Sequence, residues 1–274
     1  MNEEKGFSGY HLKMIALITM LIDHIAAVVI WRIYKASFAL TASIQLSDYI
    51  GDKMIVWVSD HQELVYTVYE NMRLIGRMAF PIYCFLLVEG FLHTSNVKKY
   101  GLRLLLFAFI SEIPFDLALT GKIWDTSYSN VFFTLVIALV AMWAFTYVEL
   151  FAEFWEEKQW DLLLGKLVII MAGVFIVALC GGFAEIVLKT DYGFAGIIAI
   201  LSMYMFRNTR NFAFTVGVMA LVVFSSSTEF VALLMLIPLM KYDGTRGKSL
   251  KYVFYAFYPA HLLVLGLLCM CLGV

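Results

Sequence analysis

Charge is scarce in this chain: Asp, Glu, Lys and Arg make up 15% of its 274 residues, against about a quarter in soluble domains. The formal net charge of −1, with no basic tract interleaved with aromatics, argues against a nucleic-acid partner. Alternating apolar segments of about 10 residues are absent, so a membrane β-barrel is not indicated. Walker-type, GxSxG, HExxH, paired CxxC and GxGxxG signatures are also missing, which removes the usual soluble nucleophile, metal and nucleotide sites. No internal repeat is visible. Cys84, Cys180, Cys269 and Cys271 all lie in apolar runs. Cys269-x-Cys271 has no second ligand pair, so the thiols read as buried and free and no metal is expected.

What the chain does have is hydrocarbon. It is 62% hydrophobic and 16% aromatic, with 23 Phe, and its mean hydropathy is +0.84. These values indicate an all-α integral membrane protein, a polytopic bundle folded as a single membrane domain over residues 1–274. Apolar runs place spans near Leu12–Ile33, Leu74–Leu92, Gly101–Leu119, Asn130–Val148, Leu167–Leu188, Tyr192–Phe206, Phe212–Phe224, Phe230–Met240 and Tyr252–Leu272. That is about nine transmembrane helices, three of them short for a bilayer of about 30 Å. The first run is longer than a signal-peptide core and has no small-residue cleavage site, so it reads as a retained span. Sorting Lys and Arg by alternate loops puts about twice as many on the N-terminal side, which predicts a cytoplasmic N-terminus. Residues 34–72 read as a long external loop with an amphipathic segment over the outer face; a lid or docking loop is the functional alternative. Nothing in the spans indicates a homo-oligomer.

Ionisable residues at membrane depth cost several kcal/mol and therefore call for a partner or a function. The first span carries Asp23–His24 near its middle. His24 follows Lys13 by 11 residues, about 16 Å of rise and about 20° of rotation, so the two share one helix face. A neutral imidazole can take a proton near neutral pH, and a carboxylate can orient it. The structural alternative is an Asp–His pair that ties helices together. The second span adds Arg73, Arg77, Glu89 and His93, the last two neighbours at i, i+4. Arg77 requires an acidic or phosphate partner, with Asp23 and Glu89 as structural options. Lys98, Lys99 and Arg103 begin the third run, with Glu112 and Asp116 deeper. These cations are either positive-inside signal or a polyphosphate site. Asn130 and Asp191 sit where helix caps are expected. The last run carries Tyr258, Pro259 and a second intramembrane imidazole, His261.

The segments KMIALITMLIDHIA, RLIGRMAFPIYCFLLVEGFLHTSN, KYGLRLLLFAFISEIPFDLAL, NVFFTL, DYGFAG and YDGTRGKSLKYVFYAFYPAHLLVL together resemble the TraX family, membrane proteins linked to N-terminal acetylation of conjugative pilin. The likeness covers nearly the whole chain. One departure is Asp243, where the family form has Asn. The first helix also resembles that of the broader membrane acyltransferases, with a basic residue at the start of the span and a His 11 residues on. The resemblance implies a bacterial inner-membrane O- or N-acyltransferase that takes acetyl-CoA, or another acyl-CoA, from the cytoplasm. The acceptor would be reached from the membrane or the outer side. By position it implies His24 as general base with Asp23 orienting it, and Lys13, Arg77, Arg103 and Lys98 as donor-binding cations. Glu89, His93, Asn130, Tyr258 and His261 are candidates for substrate contact or cavity lining.

Two other functions are open on the residues alone. A proton-coupled transporter would use Asp23, His24, Glu89, Glu112 and His261 as a relay, although the repeats and paired broken spans of many transporters are missing. A non-catalytic assembly protein would use the same residues only for helix packing.

Overall fold

A computed structural model describes residues 6–39, 50–157, 162–248 and 251–274. It is all-helical, 83% helix with no strand among the described residues. The helices are α1 (Gly9–His24), α2 (Trp31–Ala39), α3 (Ile50–Asp60), α4 (Gln62–Gly76), α5 (Ala79–Leu92), α6 (Val97–Thr120), α7 (Val131–Glu157), α8 (Leu162–Gly182), α9 (Gly193–Met205), α10 (Arg210–Phe224), α11 (Leu236–Met240) and α12 (Lys251–Leu272). Two π-helical stretches, Ile25–Ile30 and Phe183–Val187, continue α1 and α8, and a 3-10 stretch, Ser227–Met235, precedes α11.

Among the described residues five helical stretches are long and apolar enough to cross a membrane: Gly9–Phe38, Gln62–Leu92, Val131–Glu153, Leu167–Val187 and Tyr252–Leu272. Three shorter apolar helices cover Gly193–Met205, Arg210–Phe224 and Ser227–Met240. The remaining apolar run, third in chain order, lies in α6, which is 24 residues long but carries Lys98, Lys99, Arg103, Glu112 and Asp116. Length and composition thus identify five candidate crossings among the described residues, short of the expected nine. The difference lies in the short helices and in the charge on α6. That helix is inside-out relative to a soluble one: Leu102, Leu106, Phe109 and Ile113 are exposed, while Ser111, Glu112 and Asp116 are buried. An apolar exposed face with inward carboxylates is the arrangement that lipid favours.

The second candidate span begins at Gln62 rather than near Leu74. Within 34–72, residues 40–49 lie outside the described residues; the remainder is helical, in α2, α3 and α4. Ile55 and Val58 of α3 and Val65 of α4 bury against Ile33, with Leu272 and Val274 packed beside them. The opposite side of α3 exposes Ile50, Met54 and Trp57.

The chain divides into two compact units, one of Met1–Ile82, Phe109–Asp125 and Val231–Val274, the other of Tyr83–Ala108 and Thr126–Phe230. In the first, the Arg32 guanidinium donates to the carbonyls of Leu117 and Ala118, both at 2.7 Å. These are acceptors of the last turn of α6, where a cation is favoured. Gly121 follows with φ +77°, the left-handed stop that glycine adopts without strain. In the second unit α9 is the central helix, with Ala195, Ile197, Ala199, Ile200, Leu201 and Met203 buried. Met203 fills the space over Gly217 of α10, where a Cβ would overlap it. Between lipid-facing helices such close packing, rather than escape from water, holds the contact.

Asn130 caps α7 as expected: its Oδ1 accepts the Phe132 N–H at 3.0 Å and its Nδ2 donates to the Ala108 carbonyl at 2.8 Å. Asp191 does not cap α9. Tyr192 occupies the cap position with φ 61° and makes no side-chain cap bond; instead Glu185 accepts the Phe194 N–H at 3.1 Å. The Asp191 carboxylate is turned to the Tyr128 hydroxyl at 2.9 Å, so a neighbouring element supplies the acceptor.

Candidate functional site

In the first unit α1 packs along α12 and α4. Ser8 precedes α1 and donates its backbone N–H to His11 Nδ1 at 3.0 Å, which ties down the first turn. The helix keeps α-geometry as far as His24 and widens into the π-stretch immediately afterwards. Such π-bulges occur frequently at functional sites because the extra residue re-aims the face beyond them. Lys13 and His24 therefore lie on one unbroken α-helical segment, which is the condition their shared face requires.

On α12 the residues Phe254, Tyr258 and His261 follow one another at i, i+4, i+7, one side of a helix. All three meet α1. The Lys13 ammonium lies 5.6 Å from the centre of the Phe254 ring. The His24 ring meets Tyr258 edge-on at 5.9 Å and His261 at 4.9 Å between centroids. The seam thus runs from a cation at the start of α1 to two imidazoles deep in the span.

The imidazoles are hydrogen-bonded, and their partners determine where the protons sit. His261 Nδ1 is 2.7 Å from the Phe257 carbonyl oxygen. A carbonyl only accepts, so Nδ1 carries the hydrogen and Nε2 of neutral His261 holds a lone pair. That nitrogen lies 2.9 Å from His24 Nδ1, which must then be the donor. The His24 ring also hydrogen-bonds to the backbone of Met20 one turn back. The remaining nitrogen, His24 Nε2, is left with a lone pair, as a general base requires. His261 is buried at 7% exposure, whereas His24 is half-buried.

Asp23 is held by Arg73, Nη1 to Oδ2 at 2.5 Å, with both side chains about a quarter exposed or less (26% and 20%). Gly76, one turn beyond Arg73, faces the Asp23 carboxylate so closely that any Cβ there would overlap it. The absence of a side chain at Gly76 is what lets α1 and α4 approach. Arg77 is half-buried at the C-cap of α4. Glu112 and Asp116 are buried in this unit too, and Asp116 Oδ2 accepts the Asp125 N–H at 2.8 Å.

The other residues predicted from sequence belong to the second unit. His93 is exposed and its Nδ1 donates to the Glu89 carbonyl at 2.8 Å, so their i, i+4 contact runs through the backbone. The exposed Lys98 lies 5.9 Å from the centre of the Trp143 ring, and the half-buried Arg103 lies 5.8 Å from that of Tyr100. Among the described residues no three His, Cys, Asp or Glu side chains gather as a metal site.

Two contacts are not legible in the sequence. The His261–His24 bond joins residues 237 apart, and no local pattern pairs them. Arg73 as the partner of Asp23 has a faint signal, the glycine three residues later that leaves room for another helix.

A family model described as TraX protein matches residues 8–269. The chain belongs to the TraX family. A relative, the probable fimbrial assembly protein FimC of serogroup H1 from Dichelobacter nodosus, is 27% identical over 290 residues, with 97% of each chain covered. No solved structure matches the chain significantly. The matched range takes in both imidazoles and Asp23, Lys13 and Arg73, so the whole α1–α12 seam lies within the family region.

Proposed function

We propose that this chain is a multipass membrane acyltransferase acting in pilus or fimbrial assembly, transferring an acyl group, most simply acetyl from cytoplasmic acetyl-CoA. In this reading it sits in the bacterial inner membrane with its N-terminus cytoplasmic, and α6 and the three shorter helices complete the crossings. The carrying observation is the chain from the Phe257 carbonyl through His261 to His24, which leaves one basic nitrogen on a half-buried imidazole.

Three steps follow. His24 Nε2 removes the proton of an acceptor hydroxyl or amine as its oxygen or nitrogen attacks the thioester carbonyl carbon. The carbon–sulfur bond then breaks and the acyl group stays on the acceptor. The departing CoA thiolate takes up the proton held on His24, so no charge or proton is left over. During the reaction the imidazolium is steadied through Nδ1–H by His261. Asp23, neutralised by Arg73, contributes chiefly by fixing α1 against α4. Lys13, Arg77, Lys98 and Arg103 are candidates for the donor's phosphates or its acyl carbonyl. Glu89, His93 and Tyr258 are candidates for contact with the acceptor, whether a pilin, a surface glycan or a small amphiphile. Asn130 serves as a helix cap.

A second reading is favoured by the FimC relative, whose name describes assembly without chemistry: a non-catalytic membrane assembly factor. One experiment separates the two. Purified protein is incubated with radiolabelled acetyl-CoA and membrane extract, and transfer is compared between wild type and His24→Ala. The enzyme reading expects a loss of about a hundredfold or more, the usual worth of a general base, with unchanged chromatographic and melting behaviour. Full assembly in cells carrying His24→Ala would leave only the assembly factor.

A further inference from the structure

The seam that ends at the imidazole pair begins beside a basic loop to which neither the residue motifs nor the family match assigns a role. Residues 241–248, sequence KYDGTRGK, are clasped to the chain just ahead of α1 by three backbone bonds. The Phe7 N–H donates to the Lys241 carbonyl at 2.8 Å, the Asp243 N–H to Phe7 at 2.9 Å and the Gly9 N–H to Thr245 at 2.7 Å. Gly244 and Gly247 take φ values of +80° and +67°, and a side chain at Gly247 would collide with Ser8. The loop is therefore set against the N-terminus of α1 at a defined register.

That register collects like charge. The Tyr10 and Phe254 rings meet edge to face at 6.2 Å. The Lys248 ammonium stands 6.0 Å from the centre of Tyr10, and that of Lys13 stands 5.6 Å from Phe254. Arg246 is close enough to Lys13 for the two charges to act on one another. No ion pair to Lys13, Arg246 or Lys248 occurs among the described residues. The loop's own carboxylate, Asp243, is taken up by the Thr245 N–H and hydroxyl, both at 2.7 Å. Arg246 and Lys248 are exposed. Three cations set by one loop and one helix start, with no ion pair to them among the described residues, favour a multiply charged anion. The distance along α1 from Lys13 to His24, about 16 Å, is of the order of an extended pantetheine arm.

We propose that the 241–248 loop seats the phosphates of the acyl-CoA donor, with Arg246 and Lys248 joining Lys13 as phosphate ligands and the pantetheine lying along the α1–α12 seam toward His24. This rests on the acyltransferase reading and names the donor end of the same site. An anionic phospholipid headgroup offers the same phosphate chemistry, so the test must separate the two sources.

The test measures CoA, dephospho-CoA and pantetheine binding to the full chain by calorimetry, in nanodiscs of pure phosphatidylcholine and of phosphatidylcholine with phosphatidylglycerol. Wild type is compared with R246Q/K248Q and with the charge-keeping R246K/K248R, with melting curves as the folding control. The expected result is a rise in CoA Kd of about tenfold or more in R246Q/K248Q, from lost charge-assisted bonds. Pantetheine binding should be little changed, and R246K/K248R should fall near wild type. CoA binding by R246Q/K248Q at wild-type strength overturns the loop assignment while leaving the acyltransferase reading intact. If that variant loses only its preference for phosphatidylglycerol, the site belongs to lipid and the proposal fails. No CoA binding by wild type in either nanodisc sinks both this inference and the acyltransferase reading.

Discussion

Two polar clusters invite comparison: the imidazole pair of the first unit and the Glu149–Arg207–Tyr204 group of the second. In the latter, Glu149 Oε1 meets Arg207 Nη2 at 2.9 Å and its Oε2 accepts the Tyr204 hydroxyl at 2.8 Å. Arg207 also donates to the Tyr204 carbonyl at 3.0 Å and lies over the Tyr204 ring at 4.2 Å. Both carboxylate oxygens are matched, and the group closes on itself, which suits it to hold α7 against α9. The imidazole pair is a chain with two ends instead. One end is anchored at a carbonyl and the other finishes at an unprotonated nitrogen. A closed network stabilises, whereas an open one can accept a proton from something else.

The contrast is broken most sharply at His261. With His261→Leu, His24 keeps its bond to the Met20 backbone but loses the imidazole acceptor at its Nδ1. We expect kcat to fall by about ten- to a hundredfold with KM little altered, a loss of about 1.4–2.7 kcal/mol in the transition state. Equal kcat for variant and wild type would reduce His261 to packing. The closed cluster should behave oppositely. Arg207→Leu should lower stability by about 1–2 kcal/mol, modest because both partners are roughly a third exposed, and leave turnover per folded molecule unchanged. A drop in turnover without a drop in melting temperature would contradict that assignment.

Asp23 tests the middle ground. Asp23→Asn leaves Arg73 facing a neutral amide, and a destabilisation of about 1 kcal/mol is expected. A double-mutant cycle with Arg73→Gln should recover most of it, since the pair acts as one unit; strict additivity would deny the coupling. The smallest effect is at Asp243. The Thr245 hydroxyl and N–H hold its carboxyl below the ordinary value of 3.8. A lowered folded-state pKa contributes stability above the unfolded value, and that contribution is lost as pH falls through the folded value. Asp243→Asn should therefore melt like wild type at pH 7 and lack the wild type's additional loss of stability below about pH 4. Melting curves at pH 3 and 7 for both proteins check this. The amide offers Thr245 the same acceptor oxygen.

Composition and apolar run length were enough to establish a helical membrane protein, because lipid tolerates only self-satisfied backbone and long apolar segments announce themselves. The six segments from Lys13 onward were enough to recognise the family. The shared face of Lys13 and His24 was legible as well, since it depends only on helical periodicity over an α-segment that the π-stretch does not interrupt. The extent of the second span was not: the apolar pattern weakens at Arg73 and Arg77, whereas α4 is helical back to Gln62 because Val65 buries against Ile33, Ile55 and Val58. The capping of α9 was misread for a similar reason, as Glu185 reaches Phe194 from the π-stretch that precedes the turn.

By itself, then, the sequence determined the apolar character and helical class of this protein and the mid-run position of its histidines, consequences of local periodicity and composition, and its six segments determined the family. Tertiary structure alone decided which imidazole meets which, that Asp23 answers to Arg73, and that Arg246 comes to Lys13 and Lys248 to Tyr10. Those contacts join residues tens to hundreds apart in the chain. Their formation rests on how α1, α4 and α12 pack and on glycines that let backbones approach, and no stretch of neighbouring residues encodes that.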